Sequence, residues 1–162
     1  MILHQTQNEI ASDTHRFRVL CCGRRWGKTT LAVEEIKGVA LSKDARIAYI
    51  APTFQQARDI AWQMLVKELK PITKKVNESR LELEVKNTKG GTSLIALRGW
   101  EAIETLRGQA FDFLVLDEVA SMKNFWLNQT PKVKVGRFLS IQRQPVWPQR
   151  DLSPPRKPPC LR

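Results

Sequence analysis

The chain has 162 residues, three cysteines and a formal net charge of +11 at neutral pH. This length suits one domain with a buried core and excludes a second large domain. The cysteines show neither a disulfide framework nor a zinc spacing, and no apolar run approaches membrane-spanning length, so we expect a cytoplasmic protein without a membrane partner.

The basic excess is concentrated near the C-terminus. Residues 1–122 hold 18 Lys and Arg against 15 Asp and Glu, whereas residues 123–162 hold nine against Asp151 alone. The second segment is also rich in proline and has no clear hydrophobic period, a composition typical of extended or disordered chain. We therefore predict a domain over 1–122 and a basic tail over 123–162 that is largely disordered.

A phosphate-binding loop is predicted near the N-terminus. An apolar run over 17–20 predicts a strand, and a helical pattern follows over 28–41. In this setting the amide groups of the loop and the helix N-terminus surround a polyphosphate. Lys28 would reach the terminal phosphates and the Thr29 hydroxyl would bind Mg²⁺. The loop residues are Cys22, Gly23, Arg24, Arg25, Trp26, Gly27, Lys28, Thr29 and Thr30.

The loop departs from the usual spacing at one position. Counting back from Gly27, Cys22 occupies the place of the first glycine and Gly23 comes one residue late. Cysteine is tolerated there if the position does not demand a positive φ, and Gly23 can supply an unusual backbone conformation beside it. The alternative is an ordinary glycine-containing turn with Lys28 solvated.

Gln7 lies on a short helix predicted before the first strand. Its amide offers an acceptor and two donors, which can pair with the edge of an adenine base. The alternative is a solvated polar residue on the helix surface.

The next elements predict an α/β domain. A strand over 46–51 ends at Pro52, and Thr53 is a suitable N-cap for an amphipathic helix that ends near Pro71. Its apolar residues recur at helical spacing and are Ala57, Ile60, Ala61, Met64 and Leu65. Alternating residues over 81–86 and a return strand over 93–97 predict a β-hairpin. We expect a largely parallel sheet flanked by helices, with this hairpin as an insertion.

A second motif follows at residues 111–118. The nearly continuous apolar run predicts a strand buried on both faces, and it ends in Asp117 and Glu118 at the edge where open α/β sheets bind ligands. Asp117 would hold Mg²⁺ and Glu118 would act as the general base on an attacking water. The alternative is a strand that finishes in an ordinary acidic turn.

Three arginines are candidates for stabilising charge on a transferring phosphoryl group. Arg24 and Arg25 lie in the loop, and Arg107 precedes the acidic strand. For each of them the alternative is a solvated or DNA-facing cation.

Taken together, these motifs resemble the ATPase domain of a tailed-phage terminase large subunit over about residues 3–122. The resemblance rests on the double-arginine loop, the approach through Leu3, His4 and Gln7, the Tyr49–Thr53 segment, and Leu106-Arg107-Gly108 before the acidic pair. It implies a RecA-like P-loop NTPase fold with ATP and Mg²⁺ as ligands.

In that family such a domain drives double-stranded viral DNA into a procapsid. The resemblance implies a homo-oligomeric ring that works with a portal protein and a small terminase subunit in the host cytoplasm. The implied roles are Gln7 near adenine, Arg24 or Arg25 on developing charge, Lys28 and Thr29 on phosphate and Mg²⁺, Asp117 on Mg²⁺, and Glu118 as catalytic carboxylate.

The resemblance stops after Met122. Family members continue into a strand with a small coupling motif and a C-terminal nuclease domain, and neither is recognisable here, which suggests out-of-frame or replaced sequence. That strand usually inserts between the acidic strand and the loop strand. Either 132–135 or 137–141 fills the place, or backbone groups at the centre of the sheet stay unpaired. We predict a chain that folds marginally. The leading function is a truncated packaging ATPase; the alternatives are an inactive remnant that binds DNA through its tail and another helicase-like motor.

Overall fold

The computed structural model describes residues 2–106, 108–122 and 134–143. In that part of the chain, seven strands form one sheet in the order β1-β7-β6-β2-β5-β4-β3. The first five of this order pair in parallel, and β4 and β3 continue the sheet antiparallel. The strands are β1 (Phe17–Cys22), β2 (Arg46–Ala51), β3 (Thr73–Asn77), β4 (Glu82–Lys86), β5 (Thr92–Gly99), β6 (Ala110–Asp117) and β7 (Lys134–Arg143).

Helical segments connect the strands. The α-helices are α1 (Gln5–Ala11), α2 (Lys28–Ser42), α3 (Phe54–Ala57) and α4 (Gln63–Leu69). A π-helical turn, Arg58–Trp62, joins α3 to α4, and 3₁₀ segments cover Lys70–Ile72, Trp100–Leu106 and Val119–Ser121. As predicted, Thr53 caps α3, its hydroxyl accepting from the Gln56 amide at 3.2 Å.

The central strands β2, β5 and β6 are largely buried on both faces, and their successive side chains point to opposite sides of the sheet. On β2, Tyr49 contributes to a cluster that contains Leu31, Ile36 and Leu65 from the helices. Its neighbour Ile50 belongs to a second cluster with residues of the Trp100–Leu106 segment. The predicted α/β class with a mostly parallel, helix-flanked sheet is therefore confirmed.

A buried arginine on β1 bonds to both α1 and α2. Arg18 Nη1 donates to Glu35 Oε1 at 2.8 Å and to the Ile10 carbonyl at 2.9 Å, and Nη2 donates to Glu35 Oε2. Arg18 and Glu35 are only 6% and 9% exposed. Because these charges are desolvated, each depends on its partner.

Strand β7 corrects the domain boundary at residue 122. It pairs with β1 on one side and β6 on the other, and Leu139 and Ile141 are fully buried. The central place is filled by a strand that contains the second of the two predicted segments, 137–141, so the sheet is complete there. Marginal folding stays a prediction. The proline-rich composition concealed a short apolar run within 134–143. The rest of the predicted basic tail lies outside the described residues.

The predicted hairpin is present as β4 and β5, and it is part of the main sheet. β5 pairs with β2 in parallel as well as with β4 antiparallel, so the hairpin extends the main sheet. Strand β3 was not predicted, because its Lys74 and Lys75 are exposed and interrupt any apolar pattern. Exposed lysines are common on edge strands, where they discourage further pairing.

Candidate nucleotide-binding site

A cleft of about 560 Å³ opens at the carboxyl ends of β1 and β6. It brings together most of the residues that the two sequence motifs singled out. The residues that line it are Arg24, Arg25, Gly27, Lys28, Thr29, Thr30, Ile60, Met64, Asp117 and Glu118. Gln7, Cys22, Gly23 and Trp26 do not line it, so these four predicted site residues lie behind or beside the cleft in this structure.

The backbone of the loop turns at two positions. Gly27, the N-cap of α2, has φ 86°, and Arg25 has φ 60°, a left-handed conformation that is costly for a side chain of this size. Cys22 and Gly23 both keep a negative φ. Cysteine is therefore acceptable at the first-glycine position, but the expectation that Gly23 supplies unusual backbone geometry is wrong.

Lys28 begins α2 and reaches back across the loop. Its ammonium donates to the carbonyls of Gly23 at 2.8 Å and Cys22 at 3.3 Å. The positive charge is thus held at the centre of the loop, above the N-terminus of a 15-residue helix. Both features favour an anion in the cleft.

Gln7 holds the loop from behind. Its Nε2 donates to the carbonyls of Trp26 at 3.2 Å and Gly27 at 3.1 Å, and its Oε1 accepts from the His4 amide at 3.0 Å. The side chain is only 3% exposed. Both ends of the amide are engaged, so pairing with adenine would require these bonds to break; the adenine contact stays a prediction.

Trp26 takes part in the same contact. Its ring meets the His4 ring edge to face with centroids 5.0 Å apart, and it packs against the first core cluster. The N-terminal segment therefore forms a brace for the loop, which we call the α1 brace (His4, Gln7 and Trp26). One feature of the sequence could have indicated this brace: His4 and Gln7 have the three-residue separation of a helix capping box at the start of α1.

Asp117 ends β6 and is only 5% exposed. Its Oδ2 accepts a hydrogen bond from the Tyr49 hydroxyl at 2.5 Å. Burial raises the pKa of Asp117, and the charge of Glu118 adds to this, whereas the Tyr49 bond and the charge of Lys28 oppose it. Burial and the charge of Asp117 raise the pKa of Tyr49 well above its ordinary value, so its hydroxyl remains a donor.

Glu118 stands at the turn after β6. Its φ of 53° and ψ of 48° are left-handed, and its carbonyl accepts from the Ser121 amide at 2.8 Å. This conformation costs a non-glycine residue about 1–3 kcal/mol and is frequent where function fixes a side chain. Here it accompanies a carboxylate that lines the cleft beside Asp117.

Ile60 and Met64 form an apolar wall that the motifs did not indicate. Ile60 belongs to the predicted apolar set of the amphipathic helix, but it is 37% exposed and lines the cleft. Ile60 lies in the π-helical turn Arg58–Trp62, whereas Ala57, Ala61 and Leu65 are fully buried as part of the core. The third candidate arginine, Arg107, lies outside the described residues.

Mg²⁺ would find hard oxygen ligands here, because Thr29 and Asp117 line the same cleft. No group of three or more His, Cys, Asp or Glu residues suited to holding a metal occurs within 2–106, 108–122 and 134–143. Two protein oxygens fit an ion that takes its other ligands from phosphate and water.

None of the helices in the described ranges is both long and apolar enough to cross a membrane.

Comparison with known proteins identifies the family. The family model described as terminase large subunit, T4likevirus-type, N-terminal, matches residues 19–134. The large terminase subunit of Escherichia phage T5 is 28% identical over 116 residues, which cover 70% of this chain and 25% of that protein.

Solved structures agree with this assignment. The large terminase ATPase domain of Thermus phage P74-26 has a TM-score of 0.68 and 25% identity, over 87% of this chain and 64% of that one. The large terminase from another thermophilic bacteriophage shares the fold, with a TM-score of 0.69 and 16% identity over 87% of this chain and 39% of that one. This chain thus spans a quarter of the phage T5 protein and under two-thirds of the P74-26 domain. Its fold is the RecA-like one, and the chain belongs to the terminase large-subunit family of the T4-like virus type, matching the N-terminal region.

Proposed function

We propose that this chain binds and hydrolyses ATP as the motor domain of a terminase that packages viral double-stranded DNA. The observation that carries the proposal is the cleft in which a lysine-bearing loop at the end of β1 faces an acidic pair at the end of β6. The P74-26 relative, an ATPase domain by name, supports the same activity.

Binding would use the loop and the start of α2. Lys28 is held at the loop centre by two carbonyls, and a phosphate would compete for the same ammonium. Thr29 and Asp117 would hold Mg²⁺, which neutralises charge on the β- and γ-phosphates when it is bound. Ile60 and Met64 line the same cleft and give it one apolar side.

Hydrolysis would use Glu118 as the base. Its carboxylate lines the cleft next to Asp117, so it can orient and deprotonate a water that attacks the terminal phosphate. Arg24 and Arg25 line the same cleft from the loop, where either can stabilise the charge that develops in the transition state.

The partners follow from the family rather than from this chain's contacts. We infer that the motor acts in the host cytoplasm on double-stranded DNA, as a homo-oligomeric ring with a portal protein and a small terminase subunit. The net charge of +11 agrees with a phosphate-rich partner. The family match favours this reading over another helicase-like motor, and the assembled cleft favours it over an inactive remnant.

The test is Mg²⁺-dependent ATP hydrolysis and ATP affinity of the purified chain beside Glu118→Gln. We expect the variant to bind ATP like the parent and to lose at least about a hundredfold in turnover. Glu78→Gln is the matched control, since Glu78 is exposed in the turn between β3 and β4, and it should hydrolyse like the parent. Absence of ATP binding by the parent, or parental turnover in Glu118→Gln, would contradict the proposal.

A further inference from the structure

Tyr49 is the one tyrosine of the sequence, and it is completely buried in the middle of β2. β2 pairs with β6 so that Tyr49 lies opposite Val115, two residues before Asp117. Its ring packs in the first core cluster, while its hydroxyl donates to Asp117 Oδ2 at 2.5 Å. A phenylalanine would fill the same space, so the packing alone does not explain the hydroxyl.

We propose that Tyr49 is a positioning residue that orients the Asp117 carboxylate for the Mg²⁺ of the bound nucleotide. The hydroxyl holds Oδ2 of a residue that lines the cleft, so the bond limits how the carboxylate can turn relative to the cleft. This inference rests on the proposed function, because it concerns the metal that accompanies ATP.

The strength of the contact follows from its surroundings. Both side chains are nearly inaccessible to water, at 0% exposure for Tyr49 and 5% for Asp117. A buried hydroxyl without a partner is costly, and a hydrogen bond to a carboxylate is about twice as strong as one between neutral groups. Each group is therefore held by the other, and the carboxylate cannot turn without leaving the hydroxyl unpaired.

The position of Tyr49 explains why this contact can be rigid. β2 is a central strand, paired with β5 on one side and β6 on the other. The donor and the carboxylate thus come from adjacent strands of the same sheet rather than from loops. Residues that orient a metal ligand from such a place typically contribute about 10- to 100-fold to metal affinity.

The experiment measures how much Mg²⁺ is needed to bind a fluorescent ADP analogue. The proteins are the parent, Tyr49→Phe, Asp117→Ala and the double variant. We expect Tyr49→Phe to raise the half-maximal Mg²⁺ concentration by about 10- to 100-fold, with little change in ADP binding in EDTA. In the Asp117→Ala background the same change should have no further effect. Equal effects of Tyr49→Phe in both backgrounds would overturn the proposal.

A packing control separates positioning from general loosening of the core. Phe113 is fully buried in the same cluster on β6, and Phe113→Leu removes core contacts while leaving the Tyr49 hydroxyl in place. We expect it to lower the melting temperature without changing the Mg²⁺ requirement. A Mg²⁺ requirement raised as much by Phe113→Leu as by Tyr49→Phe would reduce the hydroxyl to a packing role and refute the proposal.

The melting temperatures of the same four proteins without nucleotide provide a second test. We expect Tyr49→Phe to lower the melting temperature of the parent but not that of Asp117→Ala, because in that background the hydroxyl has already lost its acceptor. A parent that binds no nucleotide would refute the proposed function, but the four melting temperatures would still measure the contact between Tyr49 and Asp117. Equal shifts in both backgrounds would refute the positioning role itself.

Discussion

The α1 brace makes a sharp prediction at Gln7. The substitution Gln7→Ala removes the two bonds to the carbonyls of Trp26 and Gly27 and the acceptor for the His4 amide. If Gln7 acts as a brace, the substitution lowers the stability of the unliganded protein. If Gln7 contacts adenine, as the family resemblance implies, the substitution lowers only the nucleotide affinity, and the decrease depends on the base.

The expected loss of stability depends on the hydrogen bonds that the former partners of Gln7 keep. The Gly27 carbonyl still accepts from the Leu31 amide at 3.0 Å, and the Trp26 carbonyl remains 3.4 Å from His4 Nε2. His4 is exposed, so water can replace the lost acceptor at its amide. No buried group is left entirely unpaired, and the cost is about 1–3 kcal/mol, two or three ordinary hydrogen bonds. For a chain of this length that lowers the melting temperature by about 3–9 °C.

The assay combines thermal unfolding with ATP and GTP affinities. We expect Gln7→Ala to lower the melting temperature and to weaken both nucleotides by a similar factor. Gln5→Ala is the matched control, because Gln5 lies on the same helix but bonds only to Glu9 at 3.2 Å among the contacts described. An unchanged melting temperature together with a selective loss of ATP over GTP would refute the brace and establish base recognition.

Three further predictions concern the scaffold. Gly136→Ala places a methyl group 2.7 Å from the Asp112 carbonyl, so we expect about 1–3 kcal/mol of destabilisation in urea unfolding; an unchanged midpoint would contradict it. Arg18→Met leaves the buried carboxylate of Glu35 without its charged partner and should lower the free energy of unfolding by about 3–5 kcal/mol. Adding Glu35→Leu should largely restore that stability. Burial favours neutral Asp112, but the bonds from Lys43 and a backbone amide prevail and lower its pKa. Asp112 therefore stabilises the fold above the pKa it has in the unfolded chain, and this stabilisation is lost as pH falls through the lowered pKa of the folded state. We expect Asp112→Asn to reduce the loss of stability at acid pH, measured by unfolding across a pH series.

Several parts of the fold were predictable because their signals are local. The loop before Lys28 and the apolar run before Asp117 place the two motifs at strand ends, and β1 and β6 bring both to one cleft. Parallel strands with crossover connections end at the same edge of a sheet, so no long-range information is needed. The catalytic and binding roles of these residues stay predictions.

Other features depend on contacts between distant segments. The bond from Tyr49 to Asp117 joins residues 68 positions apart. Its only sequence signal is a tyrosine within an apolar strand, since buried tyrosines usually find a partner for the hydroxyl. Ile60 is partly exposed within a π turn, an element that a periodicity of 3.6 cannot reveal.

Strand β7, which comes from the proline-rich segment, sets the spacing within the candidate site. β7 separates β1 from β6, so the loop and the acidic pair stand two strand spacings apart, about 9.6 Å. Cys22 lies opposite Arg143 and Asp117 opposite Ile141, so both motifs leave the sheet within two residues of the same level. The acidic pair therefore faces the loop across β7 rather than from a strand directly beside β1. Strand β7, which comes from the segment after residue 122, is therefore part of what sets the distance between the loop and the acidic pair.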